Sequence, residues 1–205
     1  MGKTISIVSF VVAVLILAAT LIFWKPGQKT KYRFIRLSLG NLLIHLMDGF
    51  ITFVNTPDLT REANPLVSKL GYGWGALFLA NLIGFSFIVL CAWCFCKYEH
   101  IPIKSVSTFD YFMKLFHGEN YKPVWFWYKW SKNYRSMFAM CSYAFYWGMT
   151  AGAPIFVIGW IMDMLDIYPF WWDSTWIAMG ICILVCFICI YKWTRDGYKL
   201  GIEHE

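Results

Sequence analysis

Five long apolar runs, at 5–24, 34–54, 74–96, 137–162 and 176–193, constrain this chain more than any other feature. A bilayer core about 30 Å thick is crossed by about 20 apolar residues in a helix. Inside hydrocarbon the backbone must satisfy its own hydrogen bonds, which leaves helices or a closed barrel. A barrel would alternate apolar and polar residues over segments of about ten, whereas these runs are continuous. The sequence therefore predicts an all-α integral membrane protein, a single membrane domain over 1–205 with five transmembrane helices. Composition agrees: 15% of residues are charged, against about a quarter in soluble domains.

Charge placement predicts topology. Lys25, Lys29, Lys31, Arg33 and Arg36 lie between or at the start of the first two spans. Lys97, Lys104, Lys114, Lys122, Lys129, Lys132 and Arg135 lie in the loop 97–136, and Lys192, Arg195 and Lys199 follow the last span. Those are fifteen of the eighteen basic residues; only Lys3, Arg61 and Lys69 fall on the other side. The positive-inside rule then places the N-terminus outside and the C-terminus in the cytoplasm, as a multi-pass protein of the cytoplasmic (inner) membrane. Charges that flank every helix end on one side do not form a nucleic-acid patch. No small-x-small cleavage site follows the first run, which reads as a retained anchor.

The second span carries Ser38, Asn41, His45, Asp48, Thr52 and Asn55 at spacings of 3, 4, 3, 4 and 3, a single stripe on a helix. Leu39, Leu42, Leu43, Ile44, Leu46, Met47, Phe50, Ile51 and Phe53 lie around it. An ionisable residue at the centre of a span costs about 2.5–3.5 kcal/mol on insertion scales. Interhelical hydrogen bonds, worth about 0.6 kcal/mol each, are reason enough for Ser38, Asn41 and Thr52. They are a poor reason for Asp48. His45 and Asp48, three apart on one face, read as a polar or proton-handling pair that opens outwards.

Asp48-x3-Thr52, followed after a short loop by Glu62-x-Asn64-Pro65-Leu66, resembles an uncharacterised family of small prokaryotic membrane proteins. That family is recognised by an Asp and a Thr in one helix and a following Glu-x-Asn-Pro-Leu. The resemblance covers about residues 41–90. It implies that Asp48, Thr52, Glu62, Asn64 and Pro65 form one unit near the outer surface, and it brings no activity with it.

The loop 97–136 is the largest polar segment. Residues 105–116 read as an amphipathic helix at the cytoplasmic interface, with Phe109, Phe112, Met113 and Phe116 on one face, Ser107 or Thr108 as cap and Gly118 as stop. Trp125, Phe126, Trp127, Tyr128 and Trp130, mixed with Lys129 and Lys132, suit the headgroup level. In the fourth span, Gly148 and Gly152 form a GxxxG followed by Pro154, a pattern for close helix packing with a kink.

Seven cysteines lie within spans or at their cytoplasmic ends, which argues against a disulfide framework. Cys91, Cys94 and Cys96 in one span and Cys186 and Cys189 in another are weak soft-metal candidates, since thiols also pack as small apolar groups. Of the four histidines only His45 is within a span, too few for a catalytic zinc or a bis-histidine haem. No phosphate loop or nucleophile elbow is present, and no cofactor is expected. Three classes remain, in this order: a subunit or assembly factor of a membrane complex, a small proton- or cation-coupled transporter or channel, and a lipid-modifying or hydrolytic membrane enzyme. Expected partners are membrane lipids and other membrane subunits or further copies of the chain.

Overall fold

The computed structural model describes residues 30–59, 71, 73–167 and 174–203. The first apolar run, 5–24, lies outside them, as do Glu62, Asn64, Pro65 and Leu66. The described residues form helices α1 (Thr30–Asn55), α2 (Trp74–Cys96), α3 (Thr108–His117), α4 (Trp125–Tyr128), α5 (Tyr134–Met164) and α6 (Ser174–Glu203), with no strand among them. Four of these, α1, α2, α5 and α6, are long and apolar enough to cross a membrane.

Contacts at their two ends set the arrangement. Phe53 of α1 meets Trp74 at the start of α2, and Arg33 lies 5.4 Å over the ring of Phe95 near its end, so α1 and α2 are antiparallel. α5 packs along α2 through Phe95 against Tyr143 and Tyr146, and through Phe87 against Phe145. The three helices enclose a core of Leu37, Ile88, Cys91, Ala92, Phe95, Cys96 and Tyr146. The Tyr146 hydroxyl donates to the Leu37 carbonyl at 2.9 Å across this core. It ties α5 to α1 where the α1 backbone passes.

α6 lies against α5. Gly148 is the point of closest approach: a Cβ there would fall 2.6 Å from Cys186 Sγ and 2.9 Å from the Cys182 carbonyl oxygen. Gly152 sits one turn on, opposite the Ala178 carbonyl. Helices in lipid gain nothing from hiding apolar surface from one another, so close van der Waals contact at small residues carries such an interface. Pro154 lies within α5 without ending it.

At the end where most of the basic residues gather, α3 packs on the start of α5 and the last turns of α6. Tyr111, Leu115, Phe116, Ala139, Met140 and Trp193 form this second core. Ser107 caps α3, its hydroxyl accepting from the Asp110 N–H at 3.1 Å, while Asp110 accepts in return from the Val106 N–H at 2.9 Å. This is a variant of the reciprocal capping box. Gly118, at φ +90°, ends the helix where only glycine is unstrained.

Two features differ from the sequence reading. The buried face of α3 is Tyr111, Met113, Leu115 and Phe116, with Phe109 exposed. The helix is packed between α5 and α6 rather than resting on one flat apolar surface, so more of its circumference is enclosed. The last helix runs ten residues past Trp193 to Glu203. Gly197 and Gly201 make that extension useful, because a Cβ at Gly197 would strike the Tyr111 phenol and one at Gly201 the Ile103 carbonyl. The tail is thus the floor on which the loop 97–133 is built.

Candidate functional site

The polar stripe of α1 is turned away from the surface. Leu39, Leu43, Leu46, Phe50 and Phe53 are exposed, at spacings of 4, 3, 4 and 3, and form the outward row. On the opposite face Asn41 is 3% exposed and Thr52 is buried, while Ser38, His45, Asp48 and Asn55 are half-buried. The helix is two-sided because the residues recur at the 3.6-residue period with opposite polarity.

Each polar side chain meets a different environment. Ser38 Oγ and Asn41 Oδ1 have no hydrogen-bond partner among the described residues. An unmade hydrogen bond on a buried group costs about 1–3 kcal/mol, so these two atoms are expensive where they stand. His45 packs edge-on against Phe85 of α2 at 6.0 Å and lies within hydrogen-bonding reach of the Asn81 side chain. The Asn81 amide nitrogen is used on the Leu77 carbonyl at 3.2 Å, so its amide oxygen is the acceptor left for an imidazole N–H. Asp48 follows His45 by three residues, about one turn further along the same face.

Beyond Asp48 the polar groups turn to local tasks. Asn55 donates to the Ile51 carbonyl at 3.0 Å, and Thr56 donates to Asp58 at 3.2 Å. Leu59 adopts a left-handed conformation at φ +60° and packs with Leu77 and Trp74, whose indole N–H donates to the Pro57 carbonyl at 2.8 Å. This clasp holds the end of α1 against the start of α2. Of the residues grouped by the family resemblance, Asp48 and Thr52 share the inward face; Glu62, Asn64 and Pro65 are outside the described residues.

The cysteines are all free thiols. Cys91 and Cys96 belong to the core between α1, α2 and α5, Cys94 is half-buried, and Cys189 is buried on α6. Cys186 donates to the Ala144 carbonyl at 3.3 Å, a packing role across the α5–α6 seam. Among the described residues no three His, Cys, Asp or Glu side chains converge as a metal site requires.

A second group of ionisable residues occupies the basic end. His100 meets Tyr98 edge-on at 5.6 Å and Trp193 in a tilted contact at 4.6 Å, and the Tyr98 and Trp193 rings are themselves 5.2 Å apart. Burial depresses its pKa; the Asp196 charge pulls it upwards and that of Arg33 downwards. Asp110 is buried, which by itself raises a carboxyl pKa. Hydrogen bonds from the Val106 N–H, the Tyr121 hydroxyl and Lys114 outweigh that effect and hold it below the ordinary range. Asn81 is a participant absent from the sequence reading above. Its one signal there is a carboxamide within the apolar run 74–96.

Compared with known protein families, curated proteins and solved structures, the chain matches none.

Proposed function

We propose that the protein is a subunit or assembly factor of a membrane complex, and that the His45–Asp48 face of α1 is the surface it shares with its partners. The observation that carries this reading is the uneven cover along the stripe. Asn41 and Thr52 are enclosed by the chain, while the ionisable His45 and Asp48 between them are half-buried. A carboxylate at the centre of a span costs about 2.5–3.5 kcal/mol on insertion scales, so the half-buried face that His45 and Asp48 share is the part of α1 that gains most from a further helix packed on it. With the basic end in the cytoplasm, Asp48 lies in the outer half of the span, and Glu62 and Asn64 of the family-like motif follow on the outer side.

The test is native mass spectrometry of the full chain released gently from its own membrane, with Asp48→Asn in parallel. The reading requires other membrane polypeptides in fixed stoichiometry, and their loss from a still-folded Asp48→Asn protein. A lone monomer or homo-oligomer whose behaviour is unchanged by Asp48→Asn overturns it.

A second reading is a small proton- or cation-coupled transporter. Support for it is the Asn81–His45–Asp48 sequence, in which a polarised imidazole stands one turn from a carboxyl inside a span. Proteoliposomes carrying a pH-sensitive dye decide it: flux present in the native protein and absent from Asp48→Asn supports transport, and no flux above empty vesicles refutes it.

A further inference from the structure

α4 and the residues after it expose an aromatic surface of Phe126, Trp127, Tyr128 and Trp130, with Trp127 81% and Trp130 78% exposed. Lys122, Lys129 and Lys132 are interleaved with it and exposed. Lys129 Nζ stands 3.3 Å above the centre of the Trp125 ring. Trp125 in turn meets His117 edge-on at 6.2 Å. His117 is 6% exposed, and its Nδ1 has no hydrogen-bond partner among the described residues. Burial first, and then the charges of Lys129 and Lys132, depress its pKa, which places both lysines in its field. Glu119, the acidic side chain in this stretch, lies 3.5 Å from Lys114 and is engaged there.

The surface is held close to the membrane. Three residues, 131–133, separate Trp130 from the first residue of α5, a reach of at most about 14 Å. The Lys132 N–H also donates to the Phe116 carbonyl at 2.8 Å, tying the segment to α3.

We propose that this surface is a binding site for an anionic phospholipid, with its phosphate drawn to Lys129 and Lys132 and its glycerol region against the exposed tryptophans. The occupant follows from charge and position. Two exposed lysines among exposed aromatics ask for an anion with several acceptor oxygens. Exposed Trp beside Lys at the foot of a membrane-crossing helix asks for the headgroup layer. The site stands whether or not the α1 face binds a partner subunit.

The test uses the full chain in nanodiscs of mixed phosphatidylglycerol and phosphatidylcholine, with bound lipid read by native mass spectrometry. Phosphatidylglycerol is expected to be retained selectively. Each lysine near an anionic surface is worth about fivefold in affinity, so Lys129→Gln with Lys132→Gln should lower that selectivity roughly 10–30-fold. Both lysines are exposed, so the double variant leaves the two cores intact. Trp127→Ala should lower retention of both lipids alike. Equal retention of the two lipids, or unchanged selectivity in the lysine variant, overturns the proposal. So does inorganic phosphate displacing phosphatidylglycerol at equal concentration, which would mark a free-anion site. A co-purifying polypeptide protecting Trp127 and Trp130 with no lipid retained overturns it too, by giving the surface to a protein.

Discussion

Gly201→Ala and Gly180→Ala are the same chemical change on the same helix, and the structure gives them opposite outcomes. A Cβ at Gly201 would strike the backbone carbonyl of Ile103, with the Ile103 carbonyl carbon and nitrogen at 3.2 and 3.3 Å. A peptide group cannot rotate aside as a side chain can, so either the loop 97–107 lifts or α6 shifts. Overpacking of this kind typically costs about 1–3 kcal/mol. For a chain of about 200 residues that lowers the melting temperature by about 2–4 °C per kcal/mol, a fall of about 2–12 °C. At Gly180 a Cβ would meet nothing within 4 Å. There alanine gains helix propensity, about 0.8–1 kcal/mol in aqueous helices, and the melting point should hold or rise. The assay is differential scanning fluorimetry of both purified variants in one detergent, with trypsin digestion as a local readout. Loosening of the loop in Gly201→Ala should speed cleavage at Lys104 and Lys114, and Gly180→Ala should digest like the native protein. If Gly201→Ala melts and digests as the native chain does, the tail of α6 is not the floor of the loop. Equal falls in both variants would mean a general cost of replacing glycine in this helix, and would refute the contact argument just as well.

Acid should loosen α3 through Asp110. Its folded pKa is held below the unfolded value of 3.8, so its stabilisation is complete above pH 3.8 and is lost as pH falls through the folded value. Hydrogen exchange of the α3 amides should therefore hold steady from pH 7 to 5, after correction for intrinsic rates, and lose protection below 3.8. Asp110→Asn should lose protection worth about 1.5–3 kcal/mol at neutral pH, the value of hydrogen bonds to a charged group, and lack the acid transition. Tyr146→Phe removes the hydroxyl that donates to Leu37 and should cost about 0.5–1.5 kcal/mol, seen as a lower melting temperature with unchanged helix content by circular dichroism. A Tyr146→Phe protein as stable as the native one would mean the α1–α5 tie is made by packing alone.

The parts of this fold legible in the sequence are those with local or periodic causes. The run 74–96 coincides with α2, because a bilayer-length apolar segment has one way to satisfy its backbone. The stripe at 38, 41, 45, 48, 52 and 55 was readable as one face because side-chain direction on a helix follows from spacing alone. Its inward direction follows from polarity, since the alternative presents Asp48 to lipid. Ser107 and Gly118 bound α3 through chemistry contained within a few residues. What the stripe would meet was not readable. Asn81 is 36 positions from His45 in the chain, and only the register of α1 on α2 makes them neighbours.

The basic end was the harder part for a related reason. Gly148-x3-Gly152 stands out within an apolar span, where small residues have an evident use in helix packing. Gly197-x3-Gly201 has the same spacing, but it lies among Arg195, Asp196 and Lys199, where glycine suggests a fraying tail. Both pairs serve one purpose: each lets a neighbouring element approach a helix backbone more closely than a side chain would allow. In the first pair the neighbour is α6, and in the second it is Tyr111 and the backbone at Ile103. Tyr111 shows why the second pair belongs to the fold rather than to a loose terminus. It is fully buried, its hydroxyl donates to the Ile101 carbonyl at 3.1 Å, and its ring fills the space that Gly197 leaves open. A tyrosine so placed couples the loop to α6, and α6 is coupled through Gly148 to α5. The aromatic surface of α4 is therefore held at a set height relative to α5 and α6 by packing that begins at two glycines in the tail.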